Sequence, residues 1–266
     1  MGRAVLKLLK FLIPIVFCHF ILPFVSFLAV AQPTLLINDI KWPPYFFPEE
    51  SNSNEIGFAK AILNKCLTEQ NLSFTYILLP IKRTHKFIES GKIDVSIYSY
   101  KPERTNSVLY NKVPLFVSEY GFASRTEDDI NIKRLEDIKP YKFGHLSGLT
   151  YTPELQKILN DKKALNELTI GHTLDAMFKL LLANTPRFQI MSNSKETLKW
   201  QAQKLNASDK IQVHDYVLKK KPYYVTVSKQ SKNIENPEKF LKEMDNCISR
   251  FKSSSKYQSL LSDYGL

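Results

Sequence analysis

The chain has 266 residues, a formal net charge of +11 from 37 Lys and Arg against 26 Asp and Glu, and 44% hydrophobic residues. That length suits one large domain or two modest lobes. The lysines are scattered rather than gathered into a patch, so the charge reads as solubility and a nucleic-acid partner is set aside.

Residues 1–31 read as a cleaved signal peptide. Arg3, Lys7 and Lys10 precede an apolar run from Phe11 to Val30, no acid interrupts it, and Ala29-Val30-Ala31 supplies a small-residue cleavage site. The run is long enough to span a bilayer, but Pro14 and Pro23 break it and small residues close it, which favours cleavage over anchoring. The expected mature chain starts at Gln32, holds 266 − 31 = 235 residues and carries 11 − 3 = +8. Export to the periplasm is the expected localisation, and nothing after Ala31 is apolar enough to cross a membrane. Cys66 and Cys247 remain after cleavage, and in an oxidising compartment they form either a disulfide or two buried thiols.

In chain order, Leu35 to Ile40 is a short apolar strand ended by Trp42-Pro43-Pro44-Tyr45. Apolar residues at helical spacing predict a helix from Ile56 to Leu67; Phe74 to Leu79 is a strand and Ile81 to Ser90 a helix closed by Gly91. Ile93 opens a β-branched strand that Lys101-Pro102-Glu103-Arg104 stops. Val113 to Ser124 is strand-like, and the acidic stretch Thr126 to Asp129 looks like a boundary. The alternation then restarts: strand Tyr141–Leu146, helices Thr152–Leu159 and Leu174–Leu182, strand Arg187–Ser192, helix Lys195–Leu205, then strands Ile211–Val217 and Tyr223–Val227. Pro237 to Phe251 and Ser254 to Tyr264 are helical. This order predicts an α/β fold of mostly parallel sheets built from βαβ units, in two lobes with a cleft between them.

Three loops at strand ends carry candidate binding groups, as expected where ligands collect beyond the carboxyl ends of strands. Trp42 and Tyr45 offer planes for stacking, or else form a structural corner. Tyr98, Ser99 and Arg104 follow the third strand, and a guanidinium there can grip a carboxylate in a bidentate fork, unless it is solvated or pairs with Glu103 or Asp94. Ser147-Gly148-Leu149-Thr150-Tyr151 precedes Thr152-Pro153, a good N-cap and first-turn pair, and forms either an anion seat with the Thr150 hydroxyl or an ordinary connection. Arg83 near a helix start opposes the helix dipole unless an anion joins it. Catalytic signals are thin. No metal-ligand spacing, Cys-x-x-Cys, nucleophile elbow or phosphate loop is present, and Asp94, Glu119 and Asp175 have no evident partner, so no catalytic residue, metal or cofactor is expected.

Taken collinearly, Trp42 to Tyr45, Gly57-Phe58, Ser90-Gly91-Lys92-Ile93-Asp94, Pro102-Glu103-Arg104, Lys142-Phe143-Gly144, Ser147 to Tyr151 and Tyr257 to Gly265 resemble extracellular solute-binding proteins of family 3, the receptors of polar amino acid ABC transporters. The resemblance implies a two-lobe type II periplasmic binding fold, with residues 32–122 and 219–266 in one lobe and 123–218 in the other. It implies that Arg104 holds a ligand carboxylate, that Thr150 assists from the opposite lobe, and that Trp42, Tyr45 and Ser99 line the pocket. Where that family usually places an aspartate for the ligand's ammonium, this chain has Asn193 and Ser194, and Gln189 replaces another customary acid. An ammonium buried without a carboxylate is costly, so the expected solute is a small amino acid-like one, carboxylate-bearing or otherwise polar, and a standard α-amino acid is disfavoured. The expected partners are that solute and, transiently, a membrane permease, with the protein itself a monomer. A dehydratase or lyase on the same fold, using Glu119 or Asp175 as a base, and a sensory module are the alternatives.

Overall fold

The computed structural model describes residues 33–48, 55–79, 81–149 and 151–266, and the expected signal peptide and Thr150 lie outside them. The first half-sheet is β1 (Leu35–Asp39), flanked by β2 (Phe74–Leu78) and β3 (Val95–Ser99), all parallel. Helices α1 (Phe58–Glu69) and α2 (Ile81–Glu89) make the crossovers that parallel pairing requires. All five residues of β3 are buried, the mark of a strand covered on both faces. Short β4 (Val108–Tyr110) follows a 3-10 turn over Pro102–Asn106.

The second half-sheet repeats the plan. β6 (Phe143–Leu146) lies between β7 (Leu168–Gly171) and β8 (Ile190–Ser194), again parallel, with α3 (Pro153–Ala164), α4 (Leu174–Leu181) and α5 (Lys195–Lys204). Thr152, Thr173 and Ser194 cap these three helices, each side-chain oxygen accepting a backbone N–H three residues on. β9 (Ile211–Val213) is shorter than the predicted Ile211–Val217, and β7 went unpredicted because it is a four-residue edge strand with Ile170 exposed.

Two ten-residue strands join the halves. β5 (Phe116–Arg125) and β10 (Lys219–Ser228) pair antiparallel from Phe116–Tyr223 to Tyr120–Lys219. Beyond that shared stretch they diverge: β10 continues along β3 from Tyr223 to Val227, and β5 continues along β8 from Tyr120 to Ser124. The order is therefore β2-β1-β3-β10-β5-β8-β6-β7, a two-lobe α/β fold whose halves are bridged, among the described residues, by the pair β5/β10. Each half has its own apolar core, one around Ile37, Leu63, Phe116, Val225 and Ile248, the other in two groups around Phe178 and Met191 and around Phe122 and Phe143.

The final helices α6 (Pro237–Lys252) and α7 (Ser255–Asp263) return to the first half, where α6 packs on α1. Cys66 of α1 and Cys247 of α6 form a disulfide across a separation of 181 residues, with Cα atoms 5.6 Å apart. Of the two states open from sequence, the bonded one is the one in the structure. Among the described residues no helix is long and apolar enough to cross a membrane.

Candidate functional site

A cavity of about 420 Å3 opens at the carboxyl ends of β1, β2 and β3, lined also by the crossing strand β10. The β1 end contributes Asn38 through Trp42, the β3 end contributes Ile97, Tyr98 and Ser99, and Arg104 follows from the next turn. Thr84 and His85 enter from α2, and Lys221 and Tyr223 from β10.

Arg104 is the best-defined anion group of this site. Its guanidinium carbon sits 4.5 Å over the Tyr98 ring, and Nη1 donates to the Ser99 carbonyl at 3.1 Å. These contacts fix the plane of the fork while leaving other N–H groups for a ligand. Neither carboxylate considered from sequence takes it. Asp94 is buried, accepting from Leu36 N, Ser231 Oγ and Asn233 Nδ2, and Glu103 lies 3.8 Å from Lys101. The Tyr98 hydroxyl lies 2.7 Å from His85 Nδ1. Burial, then the nearby Arg104, holds His85 below the ordinary histidine range, so the ring is neutral at pH 7. Burial raises Tyr98 and Tyr223, which keeps their hydroxyls protonated.

The one acid of the lining is already compensated. Asp39 receives Lys60 Nζ on both carboxylate oxygens at 3.1 Å, in a pair with side chains 3% and 2% exposed. Lys60 also donates to the Phe47 carbonyl. A ligand ammonium would therefore have to compete with a buried lysine for this carboxylate.

Several expected site residues fall elsewhere. Tyr45 is fully buried in the first core and does not line this cavity: its hydroxyl donates to Glu196 Oε2 at 2.6 Å and lies 3.1 Å from Ser118 Oγ. The Trp-Pro-Pro-Tyr turn is thus a structural corner on its Tyr45 side and presents Trp42 to the cavity. Trp42 and Phe46 exchange backbone hydrogen bonds across the turn, so Trp42 stays half-buried at the cavity while Tyr45 points inward. Arg83 is exposed on α2 and does not line the cavity. Asn193 is buried in β8 opposite Gly121, and its Oδ1 accepts from Ser194 N at 2.8 Å. Gln189 accepts from Lys142 N, a structural bond.

The second-lobe loop lies outside this lining as well. Gly148 has φ +89°, the left-handed region that suits glycine, and a Cβ there would meet nothing within 4 Å. The N–H groups of Ser147 and Leu149 are already spent on the Gly171 and Leu146 carbonyls, so less of this loop is free for an anion than the pattern suggested. Tyr151 packs on the Phe143 core, its hydroxyl 3.3 Å from His145 Nδ1. Of the carboxylates weighed as bases, Glu119 pairs with Lys220 and Asp175 with the exposed Lys179 of α4, and neither lines the cavity. Among the described residues no group of three His, Cys, Asp or Glu side chains converges.

The site also holds residues not anticipated from sequence, namely Asp39, Lys41, Thr84, His85, Lys221 and Tyr223. A signal existed for one of them. Three consecutive lysines, Lys219 to Lys221, opening a strand that continues Tyr223-Tyr224 are poor strand formers without a local purpose.

No protein-family model matches the chain, and no curated protein matches it. Solved structures do. Substrate-binding domain 2 of GlnP from Lactococcus lactis, in an open conformation, superposes with TM-score 0.63 at 19% identity, over 87% of this chain and 94% of that one. A mutant of the arginine-binding protein ArgBP from T. maritima gives TM-score 0.60 at 19% identity, over 87% and 94%. A histidine kinase sensor domain similar to periplasmic binding proteins gives TM-score 0.61 at 14% identity, over 88% and 96%. The chain therefore has the two-lobe periplasmic-binding-protein fold, as the resemblance to family 3 implied. At these identities the likeness defines the fold and leaves the ligand to the site.

Proposed function

We propose that the protein is a non-catalytic periplasmic receptor that captures a small carboxylate-bearing solute between its lobes and presents it to an ABC permease. The observation that carries this reading is Arg104: a half-buried guanidinium, held against Tyr98 in a cavity at strand ends, with no carboxylate partner among the described residues. A desolvated cation of this kind is stabilised by an anion from outside, and its fixed fork suits a carboxylate. Gly148, Thr150, Tyr151 and Asn193 belong to the opposite lobe, and in this reading the lobe carrying them swings over the cavity when solute binds. The crossing strands β5 and β10 act as the hinge, with boundaries near residues 122 and 219. Ligand contacts made by both lobes then favour the closed form by population shift. Cleavage after Ala31 and a monomeric mature chain complete the proposal.

A sensory role has one specific observation in its favour, the similarity to a kinase sensor domain. Both roles require the same binding step, and native mass spectrometry of gently purified protein tests it. The expected result is a bound anion of a few hundred daltons or less. A thermal-shift screen of amino acids, organic acids and amines supplies the second arm, since a ligand at one hundred times its Kd adds about 2.7 kcal/mol. No bound molecule and no shift with any of them would end the receptor reading.

A further inference from the structure

The cavity holds more positive charge than one carboxylate can balance. Its lining includes Lys41, Arg104 and Lys221, and its single acid, Asp39, is neutralised by Lys60 from outside the lining, which leaves three cations. Lys221 is the unusual member. It is half-buried on the crossing strand β10, its ammonium 5.7 Å from the Tyr223 ring centre, and no carboxylate pairs with it among the described residues. The acids around it are engaged with its neighbours, Glu119 with Lys220 and Glu103 with Lys101. Burial first, then repulsion from Lys219, Lys101 and Arg104, holds its ammonium below the ordinary lysine range. A cavity that gathers Arg104 and Lys221, with no carboxylate paired to either among the described residues, suits a ligand that brings the offsetting charge.

We infer that the solute is a dianion, one carboxylate on Arg104 and a second on Lys221, its body lying along Trp42 and Tyr223. The inference rests on the receptor reading and narrows it from a carboxylate-bearing solute to a small dicarboxylate. Specificity arises from penalties as well as contacts: a zwitterionic amino acid would set its ammonium against this positive lining.

The test is isothermal titration calorimetry of the full mature chain with chain-matched pairs of four to eight carbons, succinate against butyrate through suberate against octanoate, at two salt concentrations. At least one dicarboxylate is expected to bind ten-fold or more tightly than its monocarboxylate, with an advantage that shrinks at the higher salt. Lys221→Met is expected to cut that ratio to about two-fold, and Lys221→Arg to keep most of it. The melting temperature of ligand-free Lys221→Met is expected to match or exceed that of the parent, because a repelled, half-buried charge is gone. Equal binding of both members of every pair, or an equal loss for both members in Lys221→Met, would overturn the dianion and leave the receptor reading standing. Binding of neither member of any pair overturns the dianion as well, and counts against Arg104 as a carboxylate site.

Discussion

Reduction of the Cys66–Cys247 bond will cost a large part of the stability of this chain. The bond closes a loop of 181 residues, tying the first helix to the sixth. In the chain-entropy description the unfolded state loses about 2.1 + 1.5R ln 181 ≈ 18 cal/mol/K, which is about 5 kcal/mol at 25 °C. Residual structure in the unfolded chain lowers this, so about 3–5 kcal/mol is the working range. At about 2–4 °C per kcal/mol for a domain of this size, the melting temperature should fall by roughly 6–20 °C. The clean assay is calorimetry of one preparation with and without reductant, because reduction keeps both sulfur atoms in the core, where Cys66 and Cys247 are buried. The Cys66→Ala/Cys247→Ala variant should fall at least as far, since it also loses packing. A drop under about 2 °C, with free thiols confirmed by mass, would mean that the two helices are held together without the bond and that the loop-closure argument does not apply here.

Three other outcomes follow from the same geometry. Lys60→Met should destabilise the protein by about 3–5 kcal/mol in chemical denaturation, because Asp39 would be left buried without its cation; adding Asp39→Asn should recover much of that. Glu196 is pushed above the usual carboxylate range, first by burial and also by Glu119, against the lowering effect of the Tyr45 hydroxyl. With the folded pKa above the unfolded value of 4.5, its contribution is complete below that pH and is lost as pH rises through the folded pKa. The melting temperature of the wild type relative to Glu196→Gln should therefore decline as the pH rises above 4.5, and parallel profiles would contradict the assignment. Tyr45→Phe should cost about 1–3 kcal/mol, because it leaves a half-buried carboxylate without its donor.

The alternation of periodic segments made the fold legible, since each strand-to-helix switch is a local change in apolar spacing. What stayed hidden was set by neighbours distant in sequence. Nothing in Trp42-Pro43-Pro44-Tyr45 says which aromatic faces the cavity; that is decided by Glu196, 151 residues away, which receives the Tyr45 hydroxyl. Arg104 was readable as an anion group because proline and charge end β3 just before it, whereas its freedom from Asp94 depended on Ser231 and Asn233 occupying that carboxylate. The lysine run hinted at Lys221 but could not place it, because it lies on the return strand, more than a hundred residues after the loops it faces. The Ser147 to Tyr151 loop promised more free donors than it has: its glycine and its N-cap are real, but two of its N–H groups are satisfied within the lobe.

The central claim is that Arg104 holds the solute's carboxylate. Titration of the wild type and Arg104→Met with the carboxylate that gives the largest thermal shift tests it directly. Removing a desolvated, charge-assisted fork costs about 2–4 kcal/mol, so Kd should rise about 30- to 1000-fold while the melting temperature without ligand moves by no more than a few degrees. A Kd within about three-fold of the wild type would contradict the account, placing the carboxylate elsewhere and leaving Arg104 a structural residue packed on Tyr98.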